Sequence, residues 1–442
     1  MSNHLAKRIG DTSRATILCA AAILCAAALG AAGACKKDPA ASKDTAASGS
    51  AAAAPATAAA AGGGKVVIGV LTDLSGLYSD LAGKGSIAAA ELAVQDFGGS
   101  VAGMPIEIVS ADHQNKPDIG SGVAREWYDT GGVDLIVDVP TSSVALAVSD
   151  VTRDKNKVFL ASGAGTSDLT GKACSPNTIH WAYDTWALAN ATGREIVKNG
   201  GDTWFFLTAD YTFGAALERD VTKVVEASGG KVLGDIKHPL NASDFSSFLL
   251  QAQSSKAKII GLANAGGDTI KSIKQAAEFG IVAKGQKMAG LLVFISDIKA
   301  LGLATAQGLI LSTSFYWDRD DATRAWSKKF AAKRDGRMPT MVQAGVYASV
   351  MHYLKAVAEL KSAKDGKAVV AKMEAMPTED PLFGKGTIDG NGRKRHPMYV
   401  YEVKAPAESK GDWDFYKLIR EVPADQAFRA PADSGCSLLA KQ

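Results

Sequence analysis

From residue 65 onward the chain alternates short β-branched, aliphatic runs with stretches of helical periodicity, and that alternation decides its fold class. "KVVIGVLTD" (65–73) is a continuous apolar run. It is followed by "GSIAAAELAVQDF" (85–97), where Ile87, Glu91 and Val94 step by three and four. "PIEIVSAD" (105–112), "VDLIVDVP" (133–140) and "VFLASGAG" (158–165) read as further strands, with helices in "GVAREWYDTG" and "SSVALAVSDVTRDK" between them. Near-continuous apolar strands separated by helices mean a parallel sheet covered on both faces. After "NTIHWAYDTWALANATGREIVKNGG" the rhythm restarts, with strands expected at 203–211, 231–239, 258–266, 287–295 and 308–317. The expected fold is therefore α/β, two tandem units with a break near Asp184, and 442 residues suit two domains. A long amphipathic helix in "MPTMVQAGVYASVMHYLKAVAEL" and a hairpin turning at Gly390-Asn391-Gly392 close the chain.

The first 64 residues do not share this pattern. Lys7, Arg8 and Arg14 precede an uncharged run from Ala15 to Cys35, with Lys36 and Lys37 beyond it. That is the layout of an export signal, expected over 1–34. A retained membrane helix is the competing reading, but the run is mostly Ala and Gly and only weakly apolar. Ala32-Gly33-Ala34-Cys35 resembles a bacterial lipobox, in which Cys35 is lipidated; Ala32 stands where such motifs usually carry Leu. Plain cleavage, leaving a soluble periplasmic protein, is the alternative. Residues 35–64 are rich in Ala, Ser, Thr, Pro and Gly, too poor in apolar area to offset the entropy of ordering. As a flexible tether they would reach on the order of 30 Å. Cys19 and Cys25 would leave with the signal and Cys35 would take the lipid, so Cys174 and Cys436 remain to form one disulfide in an oxidising compartment.

Several classes of chemistry find no support. A net charge of +3 with no basic, aromatic-interleaved block argues against nucleic acid. The six histidines are scattered without metal-ligand spacing. No nucleophile elbow occurs, and "LAGKGS" lacks the phosphate-loop spacing. "GAGTSD" (163–168) follows a strand, but Asp168 replaces the third glycine of a dinucleotide fingerprint, and it falls on the fourth strand of its unit. No cofactor, no metal and no enzymatic activity are expected.

"GVLTDLSGLYSDLAGKGSIAAAELAVQDF", "LASGAGTSDLTG" and "FFLTADYTFGAALERD" together resemble the type I periplasmic binding proteins of ABC importers, in their leucine/isoleucine/valine-binding branch. The likeness runs from about residue 65 to 430. It implies two Rossmann-like lobes joined by a three-segment hinge and closing on a ligand. Lobe 1 is expected at 65–184, completed by about 315–365, and lobe 2 at 185–314, completed by about 366–436. It also implies a monomer that captures a small carboxylate such as a branched-chain-type amino acid. The partner is then an ABC permease and ATPase complex, and the lipid anchor holds the protein at a membrane facing the periplasm. A sensor lipoprotein of the same fold is a rival reading.

The same resemblance nominates site residues. Ser142 or Ser143, at the start of the helix after Pro140, would hold the ligand carboxylate with helix N–H groups. Ala164, Gly165 and Thr166 offer backbone groups and a hydroxyl, and Tyr78 matches an aromatic lid. The second lobe supplies Tyr211, Phe213, Asn264, Ala265, Phe294 and Ser296. At the first crossing lie Trp181, Tyr183, Asp184 and Trp186; Asp184 either caps the next helix or meets a ligand cation. One departure bears on the ligand. The family's amino-acid receptors hold the ammonium with a glutamate in the loop matching "LLVFISDI", and here the nearest acid is Asp297. An unpartnered buried ammonium is costly, so an aromatic acid of the benzoate or hydroxycinnamate type stands beside the amino acid as the expected ligand.

Overall fold

The computed structural model describes residues 64–439. The expected export signal, the lipidation at Cys35 and the tether up to residue 63 lie outside the described residues. The first sheet contains β1 (Val66–Thr72), β2 (Ser100–Val101), β3 (Met104–Asp112), β4 (Leu135–Asp138), β5 (Val158–Ala161) and β6 (Thr178–His180). Its order is β2-β3-β1-β4-β5-β6, parallel except where β2 meets β3. All seven residues of β1 are buried, because both faces are covered. Val66, Ile68 and Val70 pack with α1 (Gly83–Phe97), and Val67 and Leu71 with α2 (Pro117–Asp129) and α3 (Ser142–Asp154). Each fully buried Val or Leu contributes about 1.5–3 kcal/mol.

The chain then passes through α4 (Thr185–Leu188) and α5 (Arg194–Lys198) into a second sheet. This contains β7 (Thr203–Ala209), β8 (Lys231–His238), β9 (Ile259–Ala263) and β10 (Lys287–Gly290), all parallel in the order β10-β9-β7-β8. Between and after these strands come α6 (Thr212–Ala227), α7 (Ser246–Ser254), α8 (Gly267–Glu278), α9 (Ile295–Leu301) and α10 (Leu303–Ala306). The strand expected at 287–295 is shorter than its apolar run. The chain leaves the sheet after Gly290, and Asp297 Oδ2 accepts the Phe294 N–H at 2.9 Å to begin α9.

The remaining elements are β11 (Ile310–Thr313), α11 (Asp321–Lys333), α12 (Met341–Leu360), α13 (Gly366–Ala375), β12 (Thr378–Asp380), β13 (Gly384–Ile388), β14 (Lys394–Arg395), β15 (Met398–Val403), β16 (Tyr416–Val422) and α14 (Ala424–Ala427). β11 does not extend the parallel sheet. It pairs antiparallel with β15, and β15 with β16, over an aromatic cluster of Tyr316, Tyr401 and Tyr416. The hairpin expected at Gly390-Asn391-Gly392 is present between β13 and β14. α12 packs on α1, while α13 packs on α12, β5 and β13. α13 thus sits beside the first sheet, although the reading above gave everything after 365 to the second lobe; its buried Val369, Val370 and Met373 share that core. Cys174 and Cys436 are bonded, their Cα atoms 5.7 Å apart. Among the described residues no helix is long and apolar enough to cross a membrane.

Candidate functional site

The carboxyl ends of the two parallel sheets face each other across a narrow cleft, where open α/β sheets place ligands. From the first lobe come Tyr78 and Leu81 beyond β1, Pro140 beyond β4, Gly163 beyond β5 and Tyr183 beyond β6. From the second come Tyr211 and Phe213 beyond β7, Ala265 beyond β9, and Leu292 and Phe294 beyond β10. Asp73, the first residue after β1, shapes the Tyr78 loop. Its carboxylate accepts the N–H groups of Gly76 at 2.7 Å and Tyr78 at 2.8 Å, and the Asn115 amide at 2.7 Å. Tyr78 is thereby turned inward and buried, and its hydroxyl meets that of Tyr211 at 2.6 Å across the cleft. The lobes also meet at Arg219 of α6, which pairs with Asp168 at 3.1 Å and donates to Ser167 at 2.9 Å.

The polar atoms of the wall are chiefly phenols. Tyr183 donates to the Gly163 carbonyl at 2.6 Å. Burial raises the Tyr78, Tyr183 and Tyr211 phenols above their ordinary range, so all three stay neutral hydroxyl donors. The rest is apolar, with Tyr183 and Phe294 edge to face at 6.3 Å between ring centres. Gly165 is required by the approach of these rings: a Cβ there would lie 2.7 Å from Phe213 and 3.1 Å from Tyr183. Beside it, the N–H groups of Ala164 and Gly165 have no acceptor among the described residues. No carboxylate and no cation stands among the residues that line the cleft, although the buried Asp268 carboxylate of α8 is near enough for its charge to raise the Tyr78 and Tyr211 phenols further.

Tyr78, Tyr211, Phe213, Ala265 and Phe294 are thus brought together as nominated; Gly165 is buried against the Phe213 and Tyr183 rings, and Ala164 is buried beside it. Others are placed elsewhere. Ser142 is fully buried within the first lobe, where its Oγ accepts the Thr166 N–H at 3.2 Å; Ser143 is half-buried, and neither lines the cleft. The serine therefore braces α3 against the loop after β5. The Thr166 hydroxyl caps a short turn by accepting the Asp168 N–H at 3.3 Å. Asn264 is spent inside the second lobe on His238, Ser272 and Thr269. Ser296 is half-buried in α9 and lines nothing in the cleft.

Trp181 lies in the core, its ring under the Lys394 ammonium at 5.0 Å and against His352. Asp184 caps α4 through the Ala187 N–H at 2.7 Å and faces Arg393 at 3.4 Å, away from the cleft. Asp297 is buried, with burial pushing its carboxyl up to about 7, and it serves the Phe294 N–H. Leu81, Pro140, Gly163 and Leu292 were not nominated, and Tyr183 was named only as a residue of the first crossing. For Pro140, Gly163 and Tyr183 the signal was position, each standing just past a strand end.

Comparison with known proteins agrees with this geometry. A family model described as "Periplasmic binding protein" matches residues 65–412. A solved periplasmic binding protein from Burkholderia mallei is 53% identical, with a TM-score of 0.82 over 85% of this chain and 99% of that one. A branched chain amino acid ABC transporter periplasmic ligand-binding protein from Burkholderia xenovorans LB400 is 39% identical, with a TM-score of 0.76 over 85% and 100% of the two chains. The fold is also that of a solute binding protein of an ABC transporter from R. palustris, solved in complex with benzoate (21% identity, TM-score 0.74, 85% and 100% covered).

Proposed function

The chain belongs to the periplasmic binding protein family, and from that premise we propose that it captures a small apolar monocarboxylate, of the benzoate type, between its lobes. As a periplasmic solute-binding protein of the ABC transporter family, it would release this ligand unchanged to a permease and ATPase complex. Anchoring through Cys35 belongs to the same reading and rests on the sequence.

One observation carries the choice of ligand: the cleft is lined by phenols, aromatic rings and aliphatic groups, without a carboxylate to receive an ammonium. Asp297, the acid nearest in sequence to the family's glutamate, is committed to the Phe294 N–H. A carboxylate fits what is offered, because the Tyr78–Tyr211 hydroxyl pair keeps one proton to donate and the Ala164 and Gly165 N–H groups have no acceptor among the described residues. Charge-assisted bonds to such donors are worth about 1.5–3 kcal/mol each. A flat ring would lie between Phe213 and Phe294.

A thermal-shift series with benzoate, 4-hydroxybenzoate and leucine tests this, since a ligand bound only by the folded state raises Tm by mass action. The benzoates should raise Tm and leucine should leave it unchanged. A shift with leucine alone would return the amino-acid reading.

A further inference from the structure

β4 ends in a backbone that few side chains tolerate. Asp138 has φ 87° and Val139 has φ 53°; aspartate tolerates this left-handed region better than most residues, but for the β-branched valine it is a strained conformation. The turn sets the Asp138 carboxyl between the ends of β1 and β5 and α1. It is fully buried there, and neither oxygen makes a well-formed hydrogen bond among the described residues, the Ser86 and Thr72 hydroxyls being the donors beside it. The Ser86 and Ser162 hydroxyls are buried without partners as well. Unsatisfied buried polar groups of this density call for a reason.

The carboxyl stands directly behind the cleft wall. Its Oδ1 lies 2.7 Å from where a Cβ on Gly163 would be, and Gly163 and Pro140 both line the cleft. No cation bears on it from any side. β1 and the residue after it bring Thr72 and Asp73, α1 brings Ser86, and the crossing after β6 brings Tyr183. β5 and its continuation bring Ser162 and Gly163, and α12 places Gly345 beside Ser162. An anion in the cleft would meet an unscreened like charge one chain-thickness away if Asp138 were ionised.

We propose that Asp138 makes ligand capture proton-linked: a carboxylate ligand is held only with the Asp138 side chain in its neutral acid form, the proton coming from solvent. The proposal rests on the reading of the ligand as a small monocarboxylate. Burial raises the Asp138 carboxyl to about 7; the nearby Ser86 and Thr72 hydroxyls draw it partly back, and the Asp73 charge raises it again. Below that value the competent form is already present, and above it each pH unit removes about tenfold of it.

Calorimetric titration with benzoate between pH 6 and 9, in two buffers of different protonation enthalpy, tests this. Near pH 8 about one proton should be taken up per benzoate bound, with Kd rising about tenfold per pH unit, whereas Asp138→Asn should lose most of that uptake and pH dependence, any remainder belonging to Asp268 and Asp297. Binding without uptake overturns the proposal alone. Affinity that strengthens with pH also overturns it, making Asp138 an anionic partner for a ligand cation. Carboxyl NMR of the aspartate-labelled protein without ligand gives a second readout, with the Asp138 signal assigned by its loss in Asp138→Asn or Asp138→Ser. A midpoint near 7 supports the proposal, and one below 5 overturns it whether or not benzoate binds. A midpoint near 7 with no benzoate binding overturns the monocarboxylate reading and, with it, the ligand step.

Discussion

Tyr183 stands between two regions that handle polarity differently. Its hydroxyl belongs to the cleft wall and donates to the Gly163 carbonyl at 2.6 Å, while its own carbonyl accepts from Arg393 at 3.0 Å on the hinge side. On the hinge side charge is concentrated, and at Arg393 it is satisfied. Arg393 is 2% exposed and serves the carbonyls of Tyr183, Trp181 and Lys394 and the Asp184 carboxylate, with its face on Phe428. Burial lowers this guanidinium to about 10, which still leaves it charged. On the cleft side no charged side chain is among the lining residues, which are neutral phenols, rings and aliphatic groups, and the Asp268 carboxylate of α8 is felt there only through the Tyr78 and Tyr211 phenols. Buried charge that is fully bonded fixes the first crossing strand, and an uncharged wall can open to water and close on an anion without stranding a counter-ion. The hinge should therefore answer to stability measurements and the cleft to affinity.

Four substitutions press on that contrast. Cys436→Ser opens a bridge between residues 262 apart in sequence, worth on the order of 5 kcal/mol in the chain-entropy view; urea unfolding should show the loss. Arg393→Ala strands the Asp184 carboxylate and three carbonyls, and about 3–5 kcal/mol of stability should go with it. Equal stability in that variant would mean that the crossing is held by something else. Gly165→Ala brings a methyl to 2.7 Å from Phe213, overpacking the closed cleft by about 1–3 kcal/mol. Benzoate Kd should rise roughly 10- to 100-fold, with a smaller change in Tm. Smallest is Tyr78→Phe, which removes half of the hydroxyl bridge to Tyr211. It should weaken binding by about 1 kcal/mol, and less than additively beside Tyr211→Phe, because both act on one bond. Full additivity would place the two hydroxyls in separate roles.

The strand–helix alternation was legible because parallel strands are apolar on both faces, and the pairing of Cys174 with Cys436 followed from counting thiols. Cleft residues were legible where they sit just past a strand: Tyr211, Phe213, Ala265 and Phe294. Trp181 and Asn264 misled because residue type says a side chain can bind, while packing decides whether it faces core or cleft. Both are consumed by neighbours distant in sequence, Lys394 for one and His238 for the other. Leu292 was hidden for the opposite reason. A run of apolar residues from 287 to 295 reads as one strand, and only the turn after Gly290 releases its second half toward the cleft. Ser142 shows a third limit: a helix start predicts a donor, but this one is fully buried against the loop after β5, where its oxygen accepts the Thr166 N–H, and it does not reach the cleft.

A crystal structure of the protein grown with benzoate tests the account most directly. The carboxylate should lie within hydrogen-bonding distance of the Tyr78 or Tyr211 hydroxyl and the Ala164–Gly165 N–H groups, with the ring between Phe213 and Phe294. A cleft without benzoate, or a ligand seated against Asp297 after that side chain has let go of the Phe294 N–H, would contradict it.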